Sequence, residues 1–134
     1  MSVLGVDDNA AIIDALRIKL ARAGGFAWQG ALSCADDLVE TAIRLCPVLV
    51  LLDLDMPGKD PFAVLAELVE KCPDTKVVIF SGHVRSDLVH RAIDAGAWGY
   101  VSKNDGADDL ISALRRIAVG ELALSPEAQR VYSS

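Results

Sequence analysis

The chain has 134 residues, 52% of them hydrophobic and 24% charged, with a net charge of −6. That is the balance of one folded domain with its own core, which excludes disorder, and the acidic excess argues against a nucleic-acid partner for this domain itself. No apolar run approaches the ~20 residues of a membrane span. Met1–Val6 has no basic stretch or cleavage site of a secretory signal, and the three cysteines, Cys34, Cys46 and Cys72, have neither CxxC nor zinc spacing. They read as reduced thiols of a cytoplasmic protein.

Val3-Leu4-Gly5-Val6 predicts a first strand that stops at Asp7-Asp8. Ile12, Ile13, Leu16 and Leu20 recur three or four apart, the stripe of a helix from Asn9 to about Ala23, closed by Gly24-Gly25. Phe26–Leu32 reads as a weaker edge strand, because it holds Gln29 and Gly30. A second helix is expected from about Cys34 to Leu45, ending before Pro47. Val48–Leu52 is unbroken apolar sequence, as in a central parallel strand covered on both faces.

A loop from Asp53 to Asp60 leads into a third helix with Pro61 in its first turn. Val77–Phe80 is a fourth strand, ending at Ser81-Gly82, and a fourth helix spans about Ser86 to Ala95. Trp98–Ser102 is a fifth strand that runs into Lys103. Asp105 or Asp108 is the expected cap of a fifth helix that ends at Gly120. Ser125-Pro126 leaves room for one more short helix in the tail.

Strict alternation of strands and helices implies βαβ units and a parallel sheet with helices on both faces. Four of the five strands end in a polar side chain: Asp7-Asp8, Asp53, Ser81 and Lys103. Ligands in open α/β sheets bind beyond the carboxyl ends of strands, where the winding reverses. Bringing those residues together requires the order 2-1-3-4-5, a five-stranded three-layer α/β/α sandwich of flavodoxin-like type.

Three carboxylates at ~5 Å and an effective dielectric near 20 repel by about 3 kcal/mol per pair. Such a pocket needs a cation. Its ligands are hard oxygens, so Mg²⁺ is expected, with Mn²⁺ able to substitute. Asp8 and Asp53 would bind directly, Asp7 through water, and the backbone carbonyl of Asp55 could fill a further position. A hard cation, one hydroxyl and one lysine suit a phosphoryl group, which needs positioning and charge neutralisation. Asp53, at the mouth of the central strand, is the expected nucleophile.

Asp7-Asp8, Asp53 within Leu-Leu-Asp-Leu-Asp-Met-Pro-Gly, Ser81-Gly82, and Lys103 within Gly-Tyr-Val-Ser-Lys resemble the receiver domains of bacterial two-component response regulators. The resemblance spans about residues 3 to 119. It implies that Asp53 accepts a phosphoryl group from a histidine kinase or a histidine phosphotransfer protein. It also implies that Ser81 and Tyr100 form the switch, the hydroxyl turning toward the phosphoryl and the aromatic ring turning inward behind it, and that the face of helix 4, strand 5 and helix 5 reports the state. Leu114–Gly120 with Leu124-Ser125-Pro126 is similar to receivers that precede a LuxR-type helix-turn-helix, the NarL and FixJ subfamily.

Residues 1–120 are accordingly expected to form the receiver. Residues 121–134 would be a tail or linker toward an output domain, and DNA would be bound only through that domain. A stand-alone regulator is the alternative. So is an aspartate-based phosphatase of the haloacid dehalogenase type, suggested by Asp53-Leu54-Asp55 but opposed by the acidic pair coming first. The expected role is a switch and not a turnover enzyme, with phosphorylation-linked homodimerisation and no membrane contact.

The remaining residues have plainer readings. Asp7-Asp8 could cap the first helix, Ser81 could be a turn serine, Lys103 a surface lysine and Tyr100 simple packing. His83, His90 and Arg115-Arg116 are expected to face solvent, and Trp28 and Trp98 to fill space. Gly5, among bulky strand residues, has no explanation in the sequence.

Overall fold

Four consecutive apolar residues, Leu49 to Leu52, can all be buried only if both faces of their strand are covered. The computed structural model, which describes residues 1–134, places them at the middle of the sheet. The strands are β1 (Ser2–Val6), β2 (Ala27–Leu32), β3 (Leu49–Leu52), β4 (Lys76–Ser81), β5 (Gly99–Ser102) and β6 (Ala123–Leu124). The helices are α1 (Ala10–Ala23), α2 (Leu38–Leu45), α3 (Pro61–Lys71), α4 (Ser86–Asp94), α5 (Ala107–Ala118) and α6 (Pro126–Ser133). Every strand pair is parallel, in the order β2-β1-β3-β4-β5-β6.

The period of two along each strand divides the interior into two cores. Val50, Leu52, Val77 and Ile79 face a layer built with Leu38, Leu65, Leu68, Val89 and Ala128, so α2, α3, α4 and α6 cover that side. Leu49, Leu51, Val78 and Val101 face Leu16, Leu20, Leu114 and Ile117, so α1 and α5 cover the other.

The sheet has six strands, where the sequence predicts five. The added strand, β6, is two residues long, too short for any alternation to register. Its pairing is seen only in space: Ala123 N–H donates to Trp98 O at 3.1 Å and Ser125 N–H to Tyr100 O at 3.1 Å. Gly99 permits the approach, since a Cβ there would lie 2.5 Å from the Ala123 carbonyl oxygen. The tail helix follows as α6.

Two helix starts also differ from expectation. α2 begins at Leu38, four residues later than predicted, after a turn in which Leu38 N–H donates to Ala35 O. Asp36 in that turn accepts the Lys59 N–H at 2.9 Å, so its carboxylate is engaged outside the helix. α5 is capped at Gly106, whose N–H donates to Asp109 Oδ2 at 3.2 Å. Asp105 instead accepts the Glu127 N–H at 3.0 Å.

Gly5 has a steric cause. The Trp28 ring from β2 lies over β1, and a Cβ at position 5 would stand 2.7 Å from Trp28 Cη2 and 3.1 Å from Ile13 Cδ1. The indole takes the space that a side chain at position 5 would occupy.

Candidate functional site

The parallel ladder continues one residue past each strand and fixes the backbone of the polar residues there. Asp7 N–H donates to Leu32 O at 3.0 Å, Asp53 N–H to Val6 O at 3.0 Å and Lys103 N–H to Ser81 O at 2.9 Å. Backbone hydrogen bonds thus set where Asp7, Asp53 and Lys103 project before any side chain interacts.

Carboxylate oxygens of Asp7, Asp8 and Asp53 all lie within 4.8 Å of one another. Asp7 and Asp53 are 5% and 3% exposed, whereas Asp8 faces solvent. Lys103 Nζ donates to Asp7 Oδ2 at 2.7 Å and stands 3.5 Å from Asp53 Oδ1, with the Phe80 ring 5.7 Å from the ammonium. Asp7 Oδ1 accepts Asn9 N–H at 2.9 Å, and Asp53 Oδ1 accepts Asp55 N–H at 3.3 Å.

One ammonium against three carboxylates leaves the cluster short of positive charge. Burial pushes the Asp53 carboxyl above its ordinary range; Lys103 opposes the shift, and Asp7 reinforces it. The donor set is all oxygen and partly open to solvent, which fits a hard divalent cation.

Asp53 Oδ2 accepts no hydrogen bond from the protein, yet no buried side-chain oxygen lacks a partner. Oδ2 is therefore the oxygen that reaches the surface, while Oδ1 is held by Lys103 and the Asp55 amide. The acceptor and open oxygens of one carboxylate are thus distinguished by the fold.

Asn9 is the cap of α1, its Oδ1 accepting Ala11 N–H and Ile12 N–H at 3.0 and 3.4 Å. Asp7 and Asp8 are consequently free of capping duty. Asp55 enters through its N–H and through its side chain, whose Oδ2 lies 3.0 Å from His83 Nε2. His83 is solvent-facing as expected, but its backbone is a junction that the sequence did not reveal. Its N–H donates to Ser81 Oγ at 3.0 Å, and its carbonyl accepts the Tyr100 hydroxyl at 2.5 Å.

Tyr100 is fully buried with its ring inside the sheet-α4 layer. Burial raises its hydroxyl pKa to about 12, with Ser81 pulling the other way. Ser81 is also fully buried. His90 is exposed and stacks on Tyr132 of α6 at 4.3 Å. The edge of β5 carries β6, and α6 leans on α4, so the face of α4, β5 and α5 is partly covered by the chain's own tail.

Residues 3–115 match the response regulator receiver domain family. The chain belongs to that family. It is 31% identical over 127 residues to the response regulator GacA of Pseudomonas aeruginosa, covering 95% of this chain and 59% of that protein. It is 33% identical over 124 residues to the nitrate/nitrite response regulator NarL of Escherichia coli, covering 92% of this chain and 57% of that one. The chain thus spans less than three fifths of the length of these relatives.

Among solved structures, a LuxR-family two-component response regulator from Aurantimonas sp. SI85-9A1 superposes with a TM-score of 0.93 at 25% identity, over 98% of this chain and 94% of that one. The isolated receiver domain of RcsB from Salmonella enterica serovar Typhimurium superposes at 0.90 with 19% identity, over 98% and 97%, which shows the shared fold. The receiver is of the NarL and LuxR type. As a receiver it is a signalling switch by family. No helix is long and apolar enough to cross a membrane.

Proposed function

We propose that Asp53 is the phosphoacceptor of a two-component signalling switch. The observation that carries this is the open Oδ2 of an otherwise buried, lysine-paired carboxylate at the carboxyl end of the central strand. Oδ2 attacks the phosphorus of a phosphohistidine on a kinase or phosphotransfer protein. The P–N bond breaks, its electron pair returns to the imidazole, and an aspartyl phosphate forms.

Lys103 leaves Asp7 to neutralise charge on the phosphoryl oxygens, and the Ser81 hydroxyl turns from the His83 amide to donate to one of them. Asp8 and Asp53, with Asp7 through water and the Asp55 carbonyl, would hold Mg²⁺ or Mn²⁺. When bound, that ion supplies positive charge to the phosphoryl oxygens and relieves repulsion among the carboxylates. Tyr100 is already inside, so its role is to hold the His83 carbonyl while Ser81 turns.

The reaction is stoichiometric, a label gained once and lost slowly. A phosphatase of the dehalogenase type would instead release phosphate in many turnovers. The relatives' greater length supports a transcriptional regulator in which residues 121–134 lead to a helix-turn-helix output domain, with DNA bound by that domain; a cytoplasmic location is part of the same proposal. Phosphorylation would also promote homodimerisation, measured as a change in sedimentation.

Incubation with acetyl phosphate and Mg²⁺ should add a single phosphoryl mass to the chain. Asp53→Asn should abolish the addition. Equal labelling of that variant would remove Asp53 from the role.

A further inference from the structure

Lys103 sits in a loop that is tied down from the far end of the chain. On one side of it, Ser102 N–H donates to Ser125 Oγ at 2.9 Å, and Ser102 Oγ donates to Glu127 Oε1 at 3.2 Å. On the other side, Asn104 Nδ2 donates to the same Glu127 oxygen at 3.4 Å, and Asp105 Oδ2 accepts Glu127 N–H at 3.0 Å. Ser102, Asn104 and Asp105 are thus each bonded to the segment 125–127, and Lys103 lies between them.

The chemistry of the tail is diverted to make this junction. Ser125 precedes Pro126 at the start of α6, the usual place for a side-chain cap, yet its hydroxyl makes no capping bond and serves the Ser102 amide instead. The Glu127 amide is one of the unpaired donors of a helix first turn, and it is satisfied by Asp105 across the loop. Ser125 and Ser102 are both buried, so water cannot replace their bond.

We propose that Ser125 and Glu127 are positioning residues for Lys103, a clamp that aims its ammonium at the carboxylate cluster and links that lysine mechanically to α6. The geometry of the clamp stands by itself; its consequence rests on the phosphoacceptor reading. A phosphoryl group that draws Lys103 from Asp7 toward position 53 moves a loop whose other attachments are on α6, so the C-terminal helix senses occupancy of the site.

The test measures Lys103 directly, with no phosphoryl group. The 134-residue chain is pulsed with acetic anhydride, and acetylation of each lysine is followed by peptide mass spectrometry, with exposed Lys19 as internal reference. Ser125→Ala, which loses one hydrogen bond, and Glu127→Ala, which loses the two accepted by Oε1, should speed acetylation of Lys103 relative to Lys19 by roughly three- to tenfold, the corresponding shift in a local opening equilibrium. Glu127→Gln keeps the accepting oxygen and should restore the wild-type rate. Should Ser125→Ala not fold, the two Glu127 variants carry the test. An unchanged Lys103 rate in Glu127→Ala, or an equal rise at Lys76 and Lys103, would overturn the clamp. A clamp that behaves as expected in a chain that acetyl phosphate cannot label would leave the clamp standing and remove the phosphoacceptor reading.

Discussion

The Lys103 ammonium lies 2.7 Å from Asp7 Oδ2, although the two residues are 96 positions apart in the chain. Their side chains are only 18% and 3% exposed, so this is a shielded ion pair and not a surface one. It holds the carboxyl ends of the first and fifth strands together across the sheet. Removing one partner strands the other's charge away from water.

Lys103→Ala should therefore destabilise the chain by about 3–5 kcal/mol at neutral pH in the absence of divalent ions. Added Mg²⁺ should recover part of the loss, because it supplies the missing positive charge. Urea unfolding with Mg²⁺ and with a chelator checks both statements. A variant as stable as wild type in chelator would show that the pair contributes nothing.

Asp53→Asn should have the opposite sign. The Asp53 pKa is raised in the folded state, chiefly by burial, so the fold holds the protonated form more tightly than the unfolded chain does. The linked stability is fully present below the unfolded value of 3.8 and is lost as pH rises through the folded value. At pH 7 without metal, the Asn variant should melt higher, by about 4 °C for each kcal/mol of relieved burial penalty. The gap should close as pH falls below 4. Thermal melts across that range test it, and a variant that melts lower at pH 7 would contradict the argument.

Much of this site can be read along the chain, because each of its residues follows a short apolar run and both signals are local. Asp7, Asp53 and Ser81 each stand directly after such a run, and Lys103 stands one residue beyond Trp98–Val101. What could not be read depends on partners far away in sequence. β6 is two residues with no period of their own, and it exists because Gly99 leaves room for it. The bond from Ser102 to Ser125, and the meeting of Ser81 and Tyr100 at the His83 backbone, arise only once the strands are side by side.

Gly5 is the clearest case of a residue explained only by its neighbour. Gly5→Ala should cost about 1–3 kcal/mol, since the new methyl meets Trp28 Cη2 at 2.7 Å. Trp28→Phe removes that atom, so the double variant should be more stable than the sum of the single effects implies. Denaturant unfolding of the four chains gives the coupling. Additive effects would mean the indole is not what excludes a side chain there.

Tyr100 makes an alkaline prediction. Burial pushes its hydroxyl pKa up to about 12 from the ordinary 10.0, so its stabilising contribution is present below pH 10 and lost between pH 10 and 12. Tyr100→Phe should flatten that part of the stability profile, and should lower stability at neutral pH by about 1 kcal/mol through loss of the bond to the His83 carbonyl. Unfolding measured from pH 7 to 12 distinguishes the two effects.

The identity of the phosphoacceptor is read most directly by chemical trapping of the phosphorylated chain. After treatment with acetyl phosphate and Mg²⁺, borohydride reduces an aspartyl phosphate to the alcohol and releases phosphate, which marks the acceptor as homoserine. Peptide mass spectrometry should find homoserine at position 53 alone. Homoserine at Asp7, Asp8 or Asp55, or at no position in a chain that carries the phosphoryl mass, would mean that Asp53 is not the acceptor.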